Sequence, residues 1–177
     1  RSVPEIFSMM YQVAAMVGAA EKGLQLIADI AAKVEGIRAE TRQWAVRPKV
    51  YFEEWDEPPI SAIRWVSELV GIAGGDDCFP ELATQSLGKN RIIADSAEIV
   101  RRNPDIIIGS WCGKKFRPET VAARAGWSDV NAVKNRQIVE VKSPLILQPG
   151  PAALTDGLAA LHEIIKQWHF LEQRNAL

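Results

Sequence analysis

The chain has 177 residues, 47% of them apolar and 24% charged. That suits one globular domain, or one domain with an appendage, and excludes a disordered or low-complexity chain. The net charge of −1 and the lack of any basic stripe argue against nucleic acid as a partner. No apolar run approaches the ~20 residues of a membrane span. Arg1-Ser2-Val3-Pro4 is not a charged leader followed by an apolar core, so a cytoplasmic, processed or truncated chain is expected. Cys78 and Cys112 lie far apart and lack CxxC or CxxH spacing. A zinc site or disulfide framework is therefore not expected, and a single bridge stays open.

Ser2-Val3-Pro4-Glu5 forms a capping box with proline just inside a helix, which places a helix start at the first residues. Helix is predicted over 3–44, with a break near Gly18 or Gly23. Its apolar stripes are Ile6, Met9, Met10, Val13 and Val17, then Leu24, Ile27, Ala31, Val34 and Ile37. Arg47-Pro48 ends it. Lys49-Val50-Tyr51-Phe52-Glu53 reads as a strand, followed by an acidic loop, Glu54-Trp55-Asp56-Glu57-Pro58-Pro59. A helix over 60–73 is stopped by Gly74-Gly75, and 76–80 reads as a turn. Asp95 or Ser96 caps a short helix through Arg102. Ile106-Ile107-Ile108 suits a strand buried on both faces, as in a parallel sheet between helices. A helix opened by Pro118 follows, then a strand at 138–141, a loop over 142–151 and a last helix over 152–172. Strand–helix alternation from 49 to 172 indicates an α/β fold: a three-layer αβα lobe with a mostly parallel central sheet, preceded by a long helix.

Open parallel sheets bind ligands outside the carboxyl ends of their strands. The loops starting at Glu54, Ser110 and Lys142 should gather there. The second, Ser110-Trp111-Cys112-Gly113-Lys114-Lys115-Phe116, carries aromatic, thiol and cationic groups. Trp111 and Phe116 either close the core above the strand or face a ligand. Cys112 could act as a nucleophile given a base. The two histidines, His162 and His169, sit on the last helix, where surface or rim positions are expected. No metal ligand set, phosphate loop or GxSxG elbow is present, so no cofactor and no enzyme activity are expected.

Several stretches together resemble the C-terminal lobe of ABC-importer substrate-binding proteins of the cobalamin and ferric-siderophore class. They are Lys49 to Pro59, Trp65-Val66-Ser67-Glu68-Leu69-Val70-Gly71-Ile72-Ala73-Gly74-Gly75, Ser96 to Ile108 with its Asn103-Pro104-Asp105, and Gly126-Trp127 to Val141. The loop Ser110 to Phe116 is most similar to the proteobacterial cobalamin-binding branch. In that family two α/β lobes are joined by one long rigid helix, with ligand between them.

The resemblance implies a helical segment over 1–47 that includes the inter-lobe helix, and a ligand-binding lobe over 48–177. A whole N-terminal lobe, on the order of 100 residues, is then absent. It also implies a periplasmic location, a permease partner in the inner membrane and a corrinoid ligand, with a ferric siderophore or haem as the alternative. Ligand contacts would come from Glu54, Trp55, Trp111, Cys112, Phe116, Leu145 and Gln148. Trp and Phe offer contact area to a flat ring, and Gln and Glu can meet its amide edges. The family docks on the permease through an acid seven residues before Pro104. That position is Ala97 here, flanked by Asp95 and Glu98. A Cys112-dependent enzyme and a non-binding interaction module are the readings from other classes. The face that the absent lobe would cover could support self-association.

Overall fold

A computed structural model describes residues 1–175. Helix α1 (Val3–Met16) starts at the capping box, where the Ser2 hydroxyl accepts from the Glu5 amide and the Glu5 carboxylate accepts from the Ser2 amide. The break expected near Gly18 or Gly23 falls at Gly18, whose φ of +73° suits glycine. Helix α2 (Ala20–Thr41) then folds back on α1. Gly23 makes that close approach feasible: a Cβ there would lie 2.4 Å from Ala14 Cβ. The buried stripes are narrower than expected. Val3, Ile6, Met10, Ile30 and Val34 are buried, whereas Val13, Val17 and Leu24 are exposed, as are Tyr11, Met16 and Leu26. The hairpin tip projects past the core, so periodicity alone overstated its burial.

Strand β1 (Lys49–Asp56) is followed by an antiparallel β2 (Pro59–Ser61), then helix α3 (Arg64–Ala73). The helix predicted from residue 60 therefore starts at 64, because Pro59 to Ser61 pair with Glu53 to Asp56. Gly74 caps α3 in the left-handed region, with φ +103°. Asp76–Asp77, predicted as turn, forms a short β3 parallel to the start of β1. A short α4 (Pro80–Ala83), a 3₁₀ turn (Gly88–Asn90) and α5 (Ala97–Arg102) lead to β4 (Ile106–Gly109). Short helices α6 (Pro118–Ala122) and α7 (Asn131–Lys134) lead to β5 (Ile138–Glu140). The loop expected after β5 contains one helical turn, α8 (Ser143–Ile146), and a π-helical turn at Ala153–Gly157 runs into α9 (Leu158–Asn175).

The sheet order is β2-β1-β4-β5, with β3 also against β1, and every pairing except β1–β2 is parallel. Strand alternation sends residues to two cores. Val50, Phe52, Ile106 and Ile108 pack with α1, α2, α3 and α9. Tyr51, Ile107 and Ile138 pack with Ile99, Val121, Trp127 and Ala132 on the other face. Three layers result, as the alternation predicted.

Candidate functional site

The parallel register brings the carboxyl ends of β1, β4 and β5 side by side: Glu53 lies opposite Gly109, and Gly109 opposite Glu140. The β1–β2 hairpin, which carries residues 54–58, and the segments 110–117 and 141–151 leave from there. Glu53, the last β1 residue paired with β4, is fully buried. Four donors reach its carboxylate. Arg124 donates from Nη1 to Oε2 at 2.6 Å and from Nη2 to Oε1 at 2.9 Å. The Tyr51 hydroxyl donates to Oε2 at 2.8 Å and Trp111 Nε1 to Oε1 at 3.1 Å. Each oxygen thus accepts two hydrogen bonds and the charge has a bidentate partner, the arrangement a buried carboxylate requires. Burial, reinforced by the Glu53 charge, pushes the Tyr51 hydroxyl pKa well above its ordinary value, so it stays a donor. One side chain thereby ties β1, the turn after α6 and the loop after β4 together.

Trp111 and Phe116, both expected at a ligand or in the core, lie in the core. They are 5% and 4% exposed, with rings edge to face at 4.8 Å. Phe116 lies directly on Gly109, where a Cβ would come within 1.9 Å of the ring. Trp55 is half-buried, and its indole N–H donates to the Glu57 carbonyl at 3.0 Å. The Lys114 ammonium donates to Asp56 Oδ2 at 2.5 Å and sits 5.8 Å from the Trp55 ring and 5.1 Å from the Trp111 ring.

The other candidates separate. Glu54 turns toward the β1–β2 hairpin, gripped by the buried Arg91 at 2.6 and 3.1 Å. Leu145 is half-buried, its carbonyl against Gly157 at the π-helical turn, and Gln148 is exposed. Ser96 is the N-cap of α5, and Asp95 Oδ1 accepts from the Ala97 amide at 2.9 Å just ahead of it. Asp95 and Glu98 both contact Arg101, at 2.9 and 2.7 Å, and Glu98 also pairs with Arg102 at 2.9 Å. Arg101 holds the Asp95 carboxyl below its ordinary pKa, and Arg102 does the same for Glu98. Arg91 and Arg124 were missed in the sequence. Both lie far along the chain from their carboxylates, and nothing local marks them.

Cys112 is exposed and Cys78 buried. Neither histidine can serve Cys112 as a base. His162 Nδ1 lies 3.2 Å from the Ala73 carbonyl and His169 Nδ1 3.2 Å from the Val46 carbonyl. Those carbonyls precede β3 and β1, at the opposite end of the sheet. His169 is also buried, not at the rim, stacked on Trp44 at 4.3 Å. Burial, above all, pushes the Cys78 thiol up to about 12. Titration of the native protein with a thiol reagent at pH 8 is expected to modify one cysteine, Cys112, and denaturation to release the second. Modification of both in the native state would contradict this placement.

Residues 2–145 match the periplasmic binding protein family. The chain belongs to that family. It is 26% identical over 170 residues to an uncharacterised ABC transporter substrate-binding lipoprotein of Bacillus subtilis, a match covering 93% of this chain and 51% of that protein. The chain thus spans about half the length of this curated relative. Its fold is shared with a possible iron-binding periplasmic solute-binding protein of Staphylococcus epidermidis (TM-score 0.76, 21% identity, 93% of this chain and 63% of that one). It is shared also with a haem-bound Staphylococcus aureus protein (TM-score 0.74, 17%, 93% and 65%) and a periplasmic vitamin B12-binding protein of Vibrio cholerae (TM-score 0.70, 17%, 93% and 62%). The family is one of binding proteins, not of enzymes. Among the described residues, no helix is long and apolar enough to cross a membrane.

Proposed function

We propose that this lobe forms one wall of the ligand cleft of an ABC-importer substrate-binding protein working outside the cytoplasmic membrane, and that its ligand is a cobalamin-type corrinoid. The observation that carries the ligand class is charge balance at the strand ends. Glu53, Glu54, Asp56 and Glu140 each have a cationic partner, in Arg124, Arg91, Lys114 and Lys142. A surface so neutralised favours an uncharged ring with amide edges over a multiply charged ligand. Trp55, Leu145 and Gln148 offer it apolar area and an amide. The ion-paired Asp95 and Glu98 are the acids nearest the family's permease-docking position. A permease arginine would have to compete there with Arg101 and Arg102.

A second reading, an anionic ferric chelate or haem, draws on the exposed Lys115 and Arg117 in the loop after β4. Haem iron would also need an axial ligand. Both histidines lie at the far end of the sheet and Tyr51 is buried against Glu53, which leaves the exposed Cys112 as the axial candidate in the loop after β4.

Titrating the 177-residue chain with cyanocobalamin, haemin and a ferric hydroxamate separates the readings. Cyanocobalamin is expected to bind at roughly micromolar Kd, with Trp55→Ala weakening it about tenfold. Binding should change little with salt. Tight, strongly salt-dependent binding of haemin or the hydroxamate would select the second reading instead. Failure of all three to bind would overturn binding by this lobe alone.

A further inference from the structure

Lys114 occupies a box made by its own protein. Its ammonium donates to Asp56 Oδ2 at 2.5 Å, and the Asp56 side chain is only 12% exposed. The indoles of Trp55 and Trp111 lie 5.8 and 5.1 Å from the same nitrogen, both within cation–π range. These contacts join the β1–β2 hairpin end, at Trp55 and Asp56, to the loop after β4 at the sheet's carboxyl end. The two sides of Trp111 differ in kind. Below, its indole N–H is fixed to the buried Glu53 at 3.1 Å. Above, a long and 46% exposed lysine side chain approaches the ring. A single rotation about the lysine stem removes that cover, whereas the Glu53 bond cannot break without leaving the buried Trp111 indole N–H unpaired.

We infer that Lys114 is a specificity-determining latch: its ammonium covers the Trp55 and Trp111 faces until ligand displaces it from Asp56. The inference rests on the proposed binding role of these loops for its consequence, though not for the latch itself. An incoming ring must strip the ammonium from two indoles and one carboxylate before it can contact the aromatic wall. Ligands whose edges carry oxygen acceptors can take over the ammonium and recover the lost hydrogen bond. Purely apolar rings of equal area cannot. The latch thus discriminates by what a ligand offers at its rim.

Two variants open the latch by different routes. Lys114→Ala removes the cation, and Asp56→Asn keeps it but removes its anchor. Ligand-free protein is read first, by acrylamide quenching of tryptophan fluorescence, with thermal melting confirming that each variant is folded. Both variants are expected to increase quenching relative to the parent. Part of the increase should persist in a Trp55→Phe background, where it reports Trp111. Unchanged quenching in both folded variants overturns the latch, whatever the ligand results. Cyanocobalamin affinity is read second. Asp56→Asn, which frees the ammonium for the ligand's rim, should tighten binding about threefold to tenfold, and Lys114→Ala should change it less, because it removes both the cost of opening and the bond the rim recovers. Weaker binding by Asp56→Asn would overturn the latch, because it would mean that Asp56 holds the ammonium in the position the ligand uses. Greater quenching with no cyanocobalamin binding by parent or variants would uphold the latch and reject the corrinoid reading.

Discussion

Replacing Arg124 by methionine is expected to be the most damaging single change at the strand ends, costing about 3–5 kcal/mol of stability because it strands a buried charge. Glu53 is fully buried and Arg124 is its only ionic partner among the described residues. The remaining Tyr51 and Trp111 donors satisfy one bond on each oxygen and leave the charge uncompensated. Methionine fills much the same space as the arginine stem, so the loss reports charge and hydrogen bonds more than volume. Adding Glu53→Gln should recover part of the loss at neutral pH, because a neutral amide needs no counter-charge. Urea melts of the two single variants and the double variant measure this. A loss for Arg124→Met below about 1 kcal/mol, the range of an exposed ion pair, would mean that the pair is not buried in solution.

The second large effect is steric. Gly109→Ala should destabilise the protein by about 1–3 kcal/mol through overpacking. The added Cβ would meet Phe116 at 1.9, 2.2 and 2.7 Å, inside the ring's own volume. The ring has little room to yield, since Phe116 is 4% exposed and Trp111 lies against it at 4.8 Å. Relief requires the loop 110–117 to lift, which also pulls Trp111 away from Glu53. The change should therefore disturb tryptophan fluorescence as well as stability. Phe116→Leu offers the counter-test. If the clash is the cause, adding Gly109→Ala to Phe116→Leu should cost clearly less than it does in the parent. Additive losses would locate the cost in the backbone of β4 and not in the ring.

These two sites also mark where local reading of the chain stops. The isoleucine run of β4, the apolar β1 and the strand at 138–141 were legible because each carries its burial in its own residues. The helix boundaries at Ser2 to Glu5 and at Gly74 were legible because capping is chemistry within four residues. By itself the sequence determined a three-layer α/β lobe preceded by helix, the gathering of three loops at one end of the sheet, and the family resemblance.

Only the tertiary structure decided what those loops present. Glu53 reads locally as the first of several solvated acids; it is buried because Arg124, Tyr51 and Trp111 converge on it, and two of those lie more than 50 residues away. Glu54 is withdrawn by Arg91 in the same way, across 37 residues. Trp111 and Phe116 could have faced ligand or core, and the missing side chain at Gly109 drew the ring inward. The tip of α1 and α2 shows the converse, since Val13, Val17 and Leu24 keep a helical apolar period and are still exposed. Periodicity records which face could be buried. Charge pairing and ring packing across distant segments settle which face is buried, because a charge leaves water only where a partner from elsewhere in the fold compensates it.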